Sequence, residues 1–235
     1  MKVMGNQAAD QGNLESILNS NKSLENRAFN LTKFLVQIPD TSWMSSNQIR
    51  SASKIMIDYY RVDRLYMNNI SQDCLEMLYH HHMYWASKIN EGKLPNLLFS
   101  LLAYSATIAR VIFNKKQNTL PRTDVETYSE WLKKAYGNRF NAARMSWEIL
   151  SKNNGAIMYG LSGDDAKELA KIYHNNHQQS KSREYAEKAV SHYKVWLECN
   201  RTINHEKTRQ TRQIYEENIK YLEEVILKPM RLMRV

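Results

Sequence analysis

Hydrophobic side chains recur along most of this chain at intervals of three and four residues, and no alternation of period two persists beyond four positions. That spacing lines one face of an α-helix and not one face of a strand. Leu14, Ile17, Leu18, Leu24, Ala28, Leu31, Phe34 and Leu35 keep it up to Pro39, predicting a first helix with a turn at 39–42. Ile49, Ala52, Ile55, Met56, Tyr59, Tyr60 and Leu65 carry a second, from about Ser46 to Met67. Ser71 is an N-cap candidate for a third helix, Gln72–Ile89, which Gly92 ends. Leu94–Phe113 has the length of a membrane span. At 100° per residue, however, Asn96, Ser100, Ala103, Thr107 and Arg110 fall in one narrow stripe, which predicts a core helix with a polar edge.

Pro121 centres the next connection, and Asp124 and Glu126 sit where a helix N-terminus favours acid. A helix follows to about Ser151, with Gly137 as the point where its register would slip. Three of the seven glycines fall in NNGAIMYGLSG at 153–163, which reads as a connection, and Ser162 with Asp165 reads as the next helix start. No Gly or Pro occurs between Gly163 and Pro229. Three amphipathic stripes fill that span: one around Leu169, Ile172 and Tyr173, one from Tyr185 to Leu197, and one from Ile214 to Ile226. Polar breaks at 174–182 and 200–213 separate them.

These elements predict an all-α, multi-helix bundle of about seven to eight helices. Its expected organisation is a flexible tail at 1–12, a helical bundle at 13–152, the glycine-containing connection at 153–163, and C-terminal helices at 164–235 packed on the bundle or continuous with it. Leu169, Ala170, Tyr173, Ala189 and Tyr193 loosely resemble the core of a tetratricopeptide hairpin over about 35 residues. The connection between the two helices reads as several residues too long, and no second copy follows at the period of about 34. The resemblance implies a helical hairpin and no family.

Composition adds a bias in charge. The 235 residues are 43% hydrophobic and 24% charged, ordinary for a folded domain, with 33 basic against 24 acidic side chains and a net charge of +9. The excess lies downstream of residue 100, which raises a polyanionic partner as a possibility. Cys74 and Cys199 are too few and too far apart for a disulfide framework or a metal motif, and the first residues contain no apolar run. A reducing, cytoplasmic setting is therefore expected.

Candidate chemistry is sparse. No glycine-rich phosphate loop, dinucleotide turn or nucleophile elbow is present. His80, His81 and His82 point 100° apart on a helix and cannot converge on one ion; Glu76 and His80 share a face, with Asp73 the nearest third group. His174 and His177 form a second weak pair. No metal, organic cofactor or catalytic set is predicted, and the acidic pairs Asp164-Asp165, Glu216-Glu217 and Glu223-Glu224 read as solvated charge.

Two basic features stand out. Arg139 lies in the middle of an apolar helix face made by Leu132, Ala135, Tyr136, Ala143, Trp147 and Leu150. A guanidinium there needs an acid, carbonyls or a phosphate. It is a buried ion-pair candidate with Asp63 or Glu76, or else a phosphate holder with Lys133, Lys134 and Arg144 around it. Arg201, Lys207, Arg209 and Arg212 face only Glu206 in the second basic stretch; if it is helical, Arg201, Thr208 and Arg212 share a side.

The sequence therefore leads to a non-catalytic helical interaction protein (adaptor, scaffold or assembly subunit) that binds a protein partner or a second copy through amphipathic faces. Its 14 Tyr, 5 Trp and 11 Met suit such interfaces. The alternative is a basic nucleic-acid-binding or nucleoprotein-like packaging subunit. It would contact RNA or DNA phosphates through Lys133, Lys134, Arg144, Arg201, Lys207, Arg209 and Arg212. An enzyme whose site is assembled from distant residues is the third reading.

Overall fold

In the computed structural model, which describes residues 2–38, 41–62, 70–88, 95–117 and 124–228, nine α-helices and two π-helical turns follow one another, and no strand occurs among the described residues. In chain order they are α1 (Lys2–Leu18), α2 (Leu24–Gln37), α3 (Ser46–Val62), α4 (Gln72–Lys88), α5 (Pro95–Lys116), α6 (Val125–Met145), a first π turn (Ser146–Leu150), α7 (Lys152–Asn175), α8 (Gln179–Cys199), α9 (Glu206–Tyr221) and a second π turn (Leu222–Leu227). The protein is an all-α helical bundle protein. Its chain divides into two compact units, Met1–Ile112 and Phe113–Val235, so the division falls inside α5 and not at 153–163.

In the N-terminal unit, α1 takes in most of the segment expected to be a flexible tail. Leu14, one turn before the helix end, is fully buried and ties it down. The single helix expected over 14–35 breaks instead at 19–23. Ser23 caps α2 by accepting from the Asn26 amide at 3.3 Å, and Arg27 donates to the Leu18 carbonyl at 2.6 Å, closing the end of α1. Ser71 caps α4 as read, accepting from the Cys74 amide at 3.3 Å. The end of the second expected helix (63–69) and Gly92 lie outside the described residues.

α5 has the length and apolarity of a membrane span, with a mean hydropathy of 1.5 over its most apolar 18 residues, yet 61% of that window is buried within the protein. Leu101, Ala106, Ile108, Ala109 and Ile112 are fully enclosed. Its polar side chains are served partly by the helix itself: Ser105 donates to the Leu101 carbonyl at 2.8 Å and Thr107 to that of Ala103 at 3.1 Å.

In the C-terminal unit, Asp124 caps α6 by accepting from the Thr127 amide at 3.1 Å. α6 runs through Gly137 without a slip. The register changes later, at the first π turn, where the Ser151 amide donates back to the Ser146 carbonyl at 2.8 Å. The connection expected at 153–163 is helix, and Ser162 lies inside α7 and does not cap it. The glycines that suggested a loop serve close packing. A Cβ on Gly160 would stand 2.7 Å from the Tyr215 hydroxyl, and one on Gly163 would stand 2.8 Å from the Tyr193 ring. Only hydrogen fits there, so α8 and α9 can press aromatic side chains onto the α7 backbone.

α7 and α8 form the tightest pair in this unit. Three residues, Asn176–Gln178, join them, with His177 in the left-handed region (φ 58°) and the Gln178 amide donating to the Tyr173 carbonyl at 2.9 Å. The connection is thus shorter than the polar run at 174–182 suggested. Likewise the break at 200–213 shrinks to 200–205, because α9 begins at Glu206. The core alternates small and large groups, with Ala156, Ala166, Ala170, Ala186 and Ala189 receiving Tyr193, Trp196 and Tyr215.

Candidate interaction surface

Most polar side chains buried in the C-terminal unit find partners within it, with His174 Nδ1 and Arg212 Nε as exceptions. Arg139 reaches from α6 to Asp165 on α7 at 2.7 Å, with side chains 11% and 1% exposed, and donates a longer bond to the Leu161 carbonyl at 3.4 Å. The ion pair expected for Arg139 exists, but its acid is Asp165 and not Glu76; Asp63 lies outside the described residues. Asp164 and Asp165 are therefore not solvated charge. Asp164 accepts from the hydroxyls of Tyr193 at 2.8 Å and Tyr215 at 3.5 Å. Burial raises the Asp164 pKa against the pull of the Tyr193 hydrogen bond, and burial beside Asp164 raises both phenols. Asn218 extends the chain, donating to the Tyr193 hydroxyl at 3.4 Å and accepting from Lys167 at 3.0 Å. Such a network fixes the register of three helices.

A serine and a histidine also meet. The Ser162 hydroxyl lies 2.8 Å from His192 Nδ1 and 2.9 Å from the Tyr159 carbonyl. Ser162 is fully buried, however, and His192 packs with its ring nearly parallel to those of both Tyr136 and Phe140, with Tyr159 edge-on. No substrate atom can reach that hydroxyl, so the pair is packing and not a nucleophile with its base. Burial lowers the His192 pKa to about 4.

The N-terminal unit holds the histidine run. His80 is exposed while His81 and His82 are buried, as divergent directions on one helix require. His82 bonds the Leu78 carbonyl through Nδ1 at 2.7 Å and stacks on Tyr104, and burial lowers its pKa to about 4. Thr41 accepts from the Trp85 indole at 2.9 Å and lies 3.4 Å from His81 Nδ1. Among the described residues no three His, Cys, Asp or Glu side chains come together as a metal set.

The basic candidates separate into engaged and unengaged groups. Lys133 pairs with Glu126 and Lys134 with Glu130, both at 2.7 Å, and Arg144 lies 3.6 Å from Glu148, so all three meet acids of their own helical stretch and do not gather round Arg139. Glu126 also takes Lys181, and the bonds from the two lysines hold its pKa at about 2. Arg212 clamps the 200–205 turn through the carbonyls of Asn200, Arg201 and Ile203 at 2.7, 3.2 and 3.2 Å, which turns its guanidinium from solvent towards backbone. Arg201, Lys207 and Arg209 are exposed, and none forms a salt bridge among the described residues.

The surface that the sequence did not indicate is a groove of about 660 Å³ along α8. One face of α8 supplies Glu187, Val190, Ser191, Lys194, Val195 and Glu198, while Trp147 and Leu227 complete the walls. Trp147 belongs to the first π turn and Leu227 to the second, so each departure from α-helical geometry contributes one wall residue. π turns redirect side chains that a regular helix would aim elsewhere. No second apolar stripe marks it: Val190 belongs to the buried stripe of Ala186, Ala189 and Tyr193, and Val195, five residues on, lies about 140° away round the helix. The unit also exposes Ile149, Ile157, Ile214 and Val225.

No family model matches the chain, and no curated protein matches it by sequence. Among solved structures it is similar to the DHF119 filament, at 11% identity and a TM-score of 0.40, over 95% of this chain and 99% of that one. It is also similar to the de novo designed helical repeat protein DHR64, at 13% identity and a TM-score of 0.33, over 94% and 97% of the two chains. Neither likeness bears on function.

Proposed function

We propose that this chain is a non-catalytic helical interaction protein, an adaptor or assembly subunit, that receives a helix of a protein partner in the groove on α8. The observation that supports this most is the contrast within the C-terminal unit. Most of its buried polar groups are spent on one another, whereas Trp147, Val190, Val195 and Leu227 line an open groove of about 660 Å³. Apolar grooves with a few polar groups at the rim are where amphipathic helices dock. A reducing, cytoplasmic setting suits the two free cysteines, Cys74 and Cys199.

The test is a titration of the isotope-labelled full chain with an amphipathic Leu/Lys helical peptide, followed by amide shifts. Shifts concentrated on α8 and the two π turns support the reading. Saturating peptide that moves no amide in those elements sinks it.

A second reading, a nucleic-acid-binding or packaging subunit, is favoured by a different observation: Arg201, Lys207 and Arg209 stand exposed and without salt bridges where α9 begins. Filter binding of a single-stranded oligonucleotide at two salt concentrations checks it. Each cation that contacts phosphate contributes about one unit of salt slope, and a flat response removes the reading.

A further inference from the structure

The charges at the α8 groove are arranged more specifically than its apolar floor. Glu187 and Glu198 both line it, both are exposed, and neither forms a salt bridge among the described residues. Lys194, between them, is engaged by Glu223 at 3.4 Å. Of the acids nearby, Glu184 holds Lys188 and Glu148 faces Arg144, whereas Glu216 forms no salt bridge among the described residues. The two unengaged carboxylates are separated by eleven positions of α8, about 16 Å along the axis. Val190 and Val195 lie between them, with Trp147 and Leu227 opposite. On a chain of net charge +9, this groove thus carries a carboxylate at each end, and at the Glu198 end a second, smaller pocket adds Arg201, Arg212 and Glu216.

From this we infer that the occupant is an amphipathic partner helix whose apolar face carries a basic side chain at each end, about three turns apart. The inference rests on the proposed docking role of the groove and names the partner's chemistry. Leucine-sized side chains of the partner meet Trp147, Val190, Val195 and Leu227, and its two cations meet Glu187 and Glu198. A phosphate backbone is repelled at Glu187, whereas Glu198 adjoins Arg201 and Arg212 across a smaller pocket, so the two surfaces meet at that end. Rim charges of this kind steer encounter and reject wrong partners more than they add affinity.

The experiment uses the full chain and two labelled helical peptides of about five turns with the same apolar face. One carries Lys at both ends of that face and the other carries Glu at the same positions. Fluorescence anisotropy at low salt should show the Lys peptide binding about tenfold tighter, a gap that closes as salt is raised. The Glu187→Lys/Glu198→Lys variant should reverse the order. Ser191→Trp, an exposed change that fills the groove without touching the core, should abolish binding of both peptides.

If both peptides bind alike and Ser191→Trp removes both, the charge inference is overturned and the docking groove stands. If neither peptide binds, or if Ser191→Trp changes nothing, the docking role itself falls and the inference with it. Binding of the Lys peptide that survives Glu187→Lys/Glu198→Lys unchanged would likewise overturn the assignment of these two carboxylates.

Discussion

Replacing Arg139 by Ala removes the cation that faces Asp165 across 2.7 Å, in a place where the acid's side chain is 1% exposed and the arginine's 11%. Two effects oppose each other. The pair gains Coulomb energy in a poorly polarisable interior, but both ions have been taken out of water, so the intact pair adds little net stability. Breaking it is different, because a carboxylate stays buried after its counter-charge has gone. Loss of one partner of a buried pair costs about 3–5 kcal/mol, and Arg139→Ala also forfeits the packing of the arginine stem. Urea denaturation of wild type and variant, followed by circular dichroism, measures the difference. Arg139→Met combined with Asp165→Leu keeps volume and removes both charges, so it should recover most of the loss. The deficit of Arg139→Ala should also shrink as pH falls, because a buried carboxyl group deprived of its cation takes up a proton more readily. A variant within about 1 kcal/mol of wild type at neutral pH would refute the buried-pair reasoning. If it kept that stability and lost only peptide or polyanion binding, Arg139 would be a ligand-binding residue.

Leu98 and Leu102 are 5% and 8% exposed on α5, so each Leu→Ala change should cost about 2–5 kcal/mol in a thermal melt; two unchanged melts would mean that α5 is not a core helix. Gly163→Ala should destabilise by about 1–3 kcal/mol, because its methyl would stand 2.8 Å from the Tyr193 ring, whereas Gly137→Ala meets nothing within 4 Å and should stabilise by up to about 1 kcal/mol. Equal effects of the two glycine changes would contradict the packing role of Gly163. His82 and His192 each titrate at about 4 in the folded chain, below the ordinary 6.5, so the unfolded chain binds protons first as pH falls. Stability fully present above pH 6.5 should then decline towards pH 4, by up to about 3 kcal/mol for each histidine. His192→Gln should flatten that decline in the C-terminal unit and His82→Gln in the N-terminal one; pH-independent denaturation midpoints would show that neither site is dry.

The fold class was legible because helical periodicity and scarce glycine act at the level of single segments. Connections were less legible, since the same residue types serve loops and tight packing. Gly155, Gly160 and Gly163 illustrate this. Read alone they break a helix, but at about 1 kcal/mol each a buried helix tolerates them when a neighbouring backbone (Gly155) or an aromatic ring (Gly160, Gly163) needs the space. The polar run at 174–182 misled in the other direction: Gln178 and Ser182 are polar yet lie within or beside helix ends, with Ser182 buried and bonded to the Ala170 carbonyl at 3.0 Å. The apolar setting of Arg139 was readable from helix angles, but its acid was not, because no sequence spacing announces that α6 and α7 lie side by side at Asp165. The groove was hidden for a related reason. It needs Trp147 and Leu227, and both are aimed by π turns that no local propensity marks.

Charge acquires meaning here only after pairing is known. A net +9 suggested one basic surface, with seven side chains named as its contacts. Lys133, Lys134 and Arg144 are held by acids, and Arg212 is folded onto three carbonyls, so the cations free to act at a distance are fewer: Arg201, Lys207 and Arg209 among those seven. The same sorting applied to acids leaves Glu187 and Glu198 at the α8 groove. Among the unengaged charges of the C-terminal unit are thus two groups of opposite sign, one beside an apolar floor and one where a helix begins. Raising salt must weaken whatever each group holds, but the groove, lined by Trp147, Val190, Val195 and Leu227, retains the larger apolar contact once the charges are screened. A partner lost entirely at high salt is held by charge alone and belongs at the start of α9, and one that persists is expected on the α8 groove.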